Sequence, residues 1–146
     1  ALPTEAQYEY AARGGARNPN NFNSPYFFGS DPKLLKRVAW FAENSKNQPH
    51  RVALKKSNPL GLFDIVGNVW QWMKDPYDQN YGLKDLKALA VDPSGPSAGS
   101  SRVLRGGSWF SDARNVRSAV RDSIGPGNRG SIVGFRLVRF LKPRLP

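Results

Sequence analysis

The 146-residue chain contains no cysteine. Disulfides, thiolate metal sites and a cysteine nucleophile are therefore excluded. It has a single histidine, His50, too few to build a multi-histidine metal centre. No apolar run approaches the length of a membrane-spanning helix. No signal peptide stands at the start, no segment repeats itself, and no long basic tract or nucleic-acid motif is present.

What is present describes one domain. A chain of this length buries a sizeable core, and its 39% hydrophobic and 12% aromatic content is too high for a disordered segment. The net charge of +11 favours anionic partners in general. Its lysines, however, are spread along the chain at Lys33, Lys36, Lys55, Lys56, Lys84 and Lys87. Solubility and surface ion pairs explain them more simply than a nucleic-acid interface, so nucleic acid is not expected as a partner.

"LPTEAQYEYAARGG" predicts a helix: Thr4 caps it, Gln7 completes a capping box, and Gly14–Gly15 end it. Residues 16–29 read as an irregular loop pinned by Phe22, Tyr26, Phe27 and Phe28. A short helix is expected near Asp31, with Trp40 and Phe41 packed inward. Residues 51–57 read as extended. A turn at Gly67–Asn68 then opens a strand at Val69. A weak helical piece spans Leu83 to Leu89, followed by a Pro/Gly/Ser surface loop. "SRVLRGGSWF" and "VGFRLVRF" read as strands, the second with Val133, Phe135 and Leu137 toward the core, as Trp109 is.

Catalytic motifs do not emerge from the residues. "RGGSW" lacks the Gly-Lys-Ser/Thr of a phosphate loop. A Ser–His–Asp triad would need His50, which has no nucleophile motif near it. "DPYDQNYG" offers Asp75, Asp78 and Asn80 without the alternating spacing of a calcium loop, and reads as a turn. The stretch from Arg105 to Arg136 stands out instead, with six arginines against two aspartates and about twenty residues nearly free of large apolar side chains. The guanidinium forks of Arg114, Arg117, Arg121 and Arg129 are suited to bonding loop carbonyls and holding an irregular backbone.

Four motifs in order, "LPTEAQYEYAARGG", "GLFDIVGNVWQWMKD", "RVLRGGSW" and "GFRLV", resemble the formylglycine-generating enzyme (sulfatase-modifying factor) family over nearly the whole chain. The resemblance implies an α+β, C-type-lectin-like fold: a small twisted antiparallel sheet, two helices or fewer, and much irregular loop. It also implies one domain over residues 1–146 that lacks the family's N-terminal part. The catalytic members' two cysteines fall at Ser111 and Val116 here. Without thiols, copper binding and thiol oxidation are not expected. The histidines of the sulfoxide-synthase relatives are absent. Gln71 stands where the family has a calcium-binding glutamate, and a neutral amide is a weaker ligand for a hard cation. No cofactor and no metal are expected.

The C-terminal quarter also resembles the variable region of diversity-generating retroelement proteins, placed here at 102–138. The framework Arg105–Trp109, Asn115, Arg117, Ser118, Ala119, Arg121, Pro126, Asn128, Arg129 and Gly134–Arg136 matches their pattern. The resemblance implies a non-enzymatic display protein that binds varied ligands, commonly proteins. Its contact positions would be Phe110, Ser111, Asp112, Val120, Asp122, Ser123, Ile124, Gly125, Gly127, Gly130, Ser131 and Ile132, with Arg117, Arg121 and Arg129 stapling the loop. Each contact residue type is encodable by a codon ending in C, as randomising the adenines of an asparagine codon requires. An enzyme domain of the formylglycine-generating or sulfoxide-synthase type, or an undiversified lectin-like interaction module, are the alternatives.

Overall fold

The computed structural model describes residues 1–21, 23–81 and 95–139. Leu83–Leu89 and Phe22 lie outside them. One α-helix, α1 (Glu5–Ala12), precedes a long irregular stretch with 3-10 turns at Gly15–Arg17 and Pro32–Arg37. Four strands follow: β1 (Trp70–Pro76), β2 (Arg102–Arg105), β3 (Arg121–Ile124) and β4 (Val133–Gly134), in the sheet order β3-β2-β1-β4. The β1–β2 and β2–β3 pairs are antiparallel, and the short β4 runs parallel to β1, so the sheet is mixed. Among the described residues no helix is long and apolar enough to cross a membrane.

Helix α1 starts as its sequence dictates. The Thr4 side chain accepts from Gln7 N–H and the Gln7 side chain accepts from Thr4 N–H, which satisfies two otherwise orphaned donors. The helix buries Tyr8 and Ala12 against Phe41, Ile65, Val66, Met73, Val103 and Val116, the core between helix, sheet and loops. Tyr26 and Phe27 pin the 16–29 loop from inside, with Phe28 stacked on Tyr26 at 4.9 Å. Phe41 is buried. Trp40 is half-buried, its ring stacked on His50 at 3.8 Å.

Four expectations change. The strands read over "SRVLRGGSWF" and "VGFRLVRF" shrink, among the described residues, to Arg102–Arg105 and Val133–Gly134, the first ended by the left-handed backbone of Gly106 and Gly107. Residues 51–57 form no strand. The 105–136 interval is not all loop, because Arg121–Ile124 pairs with β2 as the edge strand β3. Phe135 and Leu137 are not core residues; they are 66% and 67% exposed. The alternation there is inverted, with Arg136 turned inward. Its guanidinium donates to the Phe63 and Asp64 carbonyls, both at 3.0 Å, and to Gln71 Oε1. Side chains alternate along an extended chain, so seating Arg136 inward sends both apolar neighbours out. The guanidinium wins because three acceptors would otherwise lose their partner.

Beneath the sheet lies a cluster of buried charge. Arg105 has 0% side-chain exposure and Glu5 2%; their Nε···Oε1 distance is 3.5 Å. Arg105 also bonds the Glu9 carboxylate and the Val120 carbonyl. Arg121 grips Glu5 through Nε and Nη2. Two cations thus share two carboxylates of α1, which ties the helix to β2 and β3. Tyr8 sits beside them, pushed up to about 12 by burial, and its hydroxyl donates to the Ile65 carbonyl. The Asp75 carboxylate accepts from Glu5 N–H at 2.9 Å, and burial raises its pKa above the usual 3.8.

Without Arg105, Glu5 keeps Arg121 and Glu9 keeps Arg13, but the Val120 carbonyl and the inner carboxylate oxygens lose a donor, so Arg105→Ala is expected to cost about 1–3 kcal/mol in urea unfolding. Asp75 holds its proton more tightly in the folded than in the unfolded chain. Between 3.8 and its raised value, the native state therefore binds more protons, and this group makes stability fall as pH rises. Asp75→Asn is expected to gain on the parent protein as pH rises through that window and to hold a constant difference above it. Parallel urea titrations across the window check this.

Candidate ligand-binding surface

The segment after β2 begins with two glycines in left-handed backbone, Gly106 at φ +96° and Gly107 at φ +73°. A Cβ on Gly106 would lie 2.5 Å from the Tyr8 hydroxyl, and one on Gly107 2.5 Å from Val116 Cγ1. Only glycine fits this close approach. The chain beyond is then fastened by partners drawn mostly from outside it. Trp109 N–H donates to the Asn68 carbonyl at 2.7 Å, and Ala42 N–H to the Ser111 carbonyl at 2.9 Å. Ser118 N–H donates to Pro25 at 2.9 Å, Tyr26 Oη to Ala113 at 2.8 Å, and Trp70 N–H to Ile132 at 2.7 Å. Asn68 is itself clamped by both ends of its amide to the His50 backbone. The Gly67–Asn68 turn therefore acts as an anchor for the loop.

This fastening opens a pocket of about 450 Å³ on the face of the loop. Phe110, Ser111, Asp112, Val120, Asp122 and Ile132 line it, six of the twelve positions marked in the sequence. Phe110 stands at its edge, 68% exposed and edge-on to Trp109 at 5.6 Å. Ser123, Ile124 and Gly125 are half-buried, and Gly127, Gly130 and Ser131 are exposed, but none of these six lines the pocket. Ser131 instead supplies a carbonyl to Trp109 Nε1 at 3.1 Å, so Trp109 is a half-buried strut. Asp112 also works locally: its Oδ1 accepts from Asn115 N–H and caps the turn Ala113–Val116. The framework contributes Trp70, Ser108, Asn115 and Ala42 to the lining. Ala42 had no sequence signal, since only the Ala42–Ser111 bond brings it here.

The arginines divide differently from the expected staples. Arg121 does fasten the loop, through Glu5 and through Nη1 to the Asp78 carbonyl at 2.9 Å, between the Tyr77 and Tyr81 rings. Among the described residues Arg117 bonds only the carbonyl of Arg114, three residues back. Arg129 is exposed and makes no hydrogen bond among the described residues, which removes it as a staple. Arg121 shares long-range fastening with Arg105 and Arg136, which stand at the two ends of the stretch.

Metal chemistry does not fit these residues. At the two cysteine positions of the catalytic relatives, Ser111 offers a hydroxyl and Val116 is wholly buried hydrocarbon, so no thiolate exists to hold copper. Gln71 is buried with both ends of its amide used: Nε2 donates to the Asp64 carbonyl at 3.1 Å, and Oε1 accepts from Arg136. A guanidinium on that oxygen opposes a calcium ion there. Asp78 accepts from Asn80 N–H in a turn, while Asp75 turns toward Glu5. Among the described residues no group of three or more His, Cys, Asp or Glu side chains could hold a metal.

The division of the arginines is checked by two variants. Arg136→Ala takes the donor from the part-buried Gln71 Oε1 and Asp64 carbonyl and is expected to cost about 1–3 kcal/mol. Arg129→Ala is expected to leave the thermal unfolding midpoint where it is.

Comparison with known proteins agrees with this architecture. Residues 1–141 match the family described as Sulfatase-modifying factor enzyme 1-like domain. A formylglycine-generating enzyme from Streptomyces coelicolor is 34% identical over 151 residues, covering 92% of this chain and 45% of its own. The serine/threonine-protein kinase Pkn1 of Chlamydia trachomatis is 37% identical over 142 residues, covering 97% of this chain and 21% of its own. Among solved structures, Treponema denticola variable protein 1 superposes with a TM-score of 0.78 at 38% identity, covering 92% of this chain and 45% of its own. The chain thus spans less than half the length of each of these relatives. With a matching family over nearly all its residues and the same fold in a variable protein, the chain belongs to the sulfatase-modifying factor enzyme 1-like domain family.

Proposed function

We propose that this domain is a non-enzymatic ligand-binding protein that displays a variable surface within residues 102–138, and that its ligands are proteins. The observation that carries the reading is the separation of duties in the loop. Backbone bonds from residues 25, 42, 68 and 70, and the guanidinium groups of Arg105, Arg121 and Arg136, hold the chain. Phe110, Val120, Asp122 and Ile132 meet at the pocket without holding anything together through their side chains over long range. An exposed aromatic with half-buried aliphatic side chains, beside carboxylates and hydroxyls on a backbone fixed by other residues, suits recognition. Likeness to a protein named as variable supports the same reading.

The formylglycine-generating enzymes among the relatives favour a second reading, an oxidising enzyme domain. Against it stand the absence of any cysteine in the chain and the Ser111 and Val116 side chains at the thiol positions.

Three outcomes test the proposal. Beside this gene, a reverse transcriptase and a near-copy of the coding sequence for residues 102–138 are expected. A library randomised at Phe110, Val120, Asp122 and Ile132 is expected to yield mostly folded members and specific binders to unrelated proteins. The purified protein, with or without added copper, is expected to leave a cysteine-containing peptide unchanged. Copper-dependent oxidation of that peptide, or a library that mostly fails to fold, would overturn the reading.

A further inference from the structure

The stretch from Arg105 to Arg136 has six arginines and two aspartates. The pocket collects both aspartates, Asp112 and Asp122, and only one arginine, Arg121. That arginine is already spent: Nε and Nη2 bond Glu5, and Nη1 bonds the Asp78 carbonyl. A strongly basic chain has therefore concentrated negative charge at this loop-face pocket. We infer that this pocket accepts a cationic side chain, lysine or arginine, presented by a protein partner. This rests on the ligand-binding reading above and specifies the chemistry of that same site.

Both carboxylates keep an oxygen for such a guest. Asp122 Oδ1 accepts from its neighbour Ser123 N–H at 2.7 Å, and its second oxygen has no hydrogen bond among the described residues. Asp112 uses Oδ1 in the cap on Asn115. Its Oδ2 faces Arg114 Nη2 at 3.7 Å, and the Arg114 side chain is 88% exposed. A long, solvated side chain at that distance is loosely held and easily displaced. Arg114 also shows, within the chain itself, the kind of contact a partner's cation would make.

The walls suit the rest of such a side chain. Lysine and arginine bury a methylene stem along apolar surface while the charged head reaches a polar partner. Phe110, Val120, Ile132 and Trp70 provide that apolar surface. The pocket volume of about 450 Å³ admits a long side chain and part of the backbone carrying it. An acidic guest would meet two like charges, and an aliphatic guest would leave both carboxylates without compensation. The overall charge of +11 does not prevent this. Beyond about 8 Å at physiological salt, exposed charges are largely screened, and the pocket pair acts at contact.

The test uses a random-peptide phage library panned on the whole chain at physiological ionic strength. Peptides that bind the parent but not a Phe110→Ala variant define the pocket-dependent pool. That pool is expected to be enriched in lysine and arginine. The double variant Asp112→Asn with Asp122→Asn is expected to weaken those peptides about tenfold or more. Asparagine still caps the Ala113–Val116 turn, so the thermal midpoint should hold; if the double variant unfolds, Asp122→Asn alone carries the measurement. A pocket-dependent pool without cation enrichment, or one indifferent to the asparagine variants, overturns the cationic guest and leaves the binding surface standing. Failure to obtain any peptide sensitive to Phe110→Ala overturns both.

Discussion

The buried guanidinium of Arg105 is the constraint on which the architecture depends. It has no exposed side-chain surface, and it reaches the carboxylates of Glu5 and Glu9 on α1 and the carbonyl of Val120. Burying a cation in this way is costly unless its hydrogen bonds are made and its charge is matched. Meeting that condition requires α1 to dock under β2 with Glu5 and Glu9 facing the sheet. It also requires residue 120 to return beside β2, which starts β3. The position of the helix, the closure of the loop and the pairing of the edge strand thus follow from satisfying one side chain and its neighbour Arg121.

Little regular structure is needed once such charges and backbone contacts hold the loops. Arg136 performs the same service at the far end, filling the carbonyls of residues 63 and 64. Gly67–Asn68 ties residues 40, 50, 106 and 109 together through backbone and amide bonds. The segment between Arg105 and Arg136 is consequently held at its ends and along its back. Its side chains at 110, 120, 122 and 132 meet at the pocket.

Local signals in the sequence were readable where the physics is local. The capping box at Thr4 and Gln7 and the turn at Gly67–Asn68 each act through near neighbours, whereas the glycines after Arg105, read as part of a strand, turn the chain because Tyr8 and Val116 leave no room for a side chain. Four ordered motifs also pointed to the family and its loop-rich α+β fold. What stayed hidden depends on distant partners. Strand β3 carries Arg121, Asp122 and Ser123, residues of poor strand propensity, and exists because β2 offers a free edge and Glu5 a counter-charge. Phe135 and Leu137 read as core by alternation, yet face outward because Arg136 claims the inner position. Arg129 has the look of Arg121 in sequence and lacks only a carboxylate to receive it. Half of the marked contact positions meet in the pocket, since spacing along the chain does not report which side of a loop faces which.

The central claim is that the loop keeps its shape regardless of what it displays. Amide hydrogen exchange on a variant with Phe110, Val120, Asp122 and Ile132 all replaced by serine tests it most directly. The account predicts that the amides of Ala42, Trp70, Trp109 and Ser118, each bonded between the loop and its surroundings, keep their protection. Loss of protection at those four amides, with α1 still protected, would show that the displayed side chains build the loop and would contradict the account.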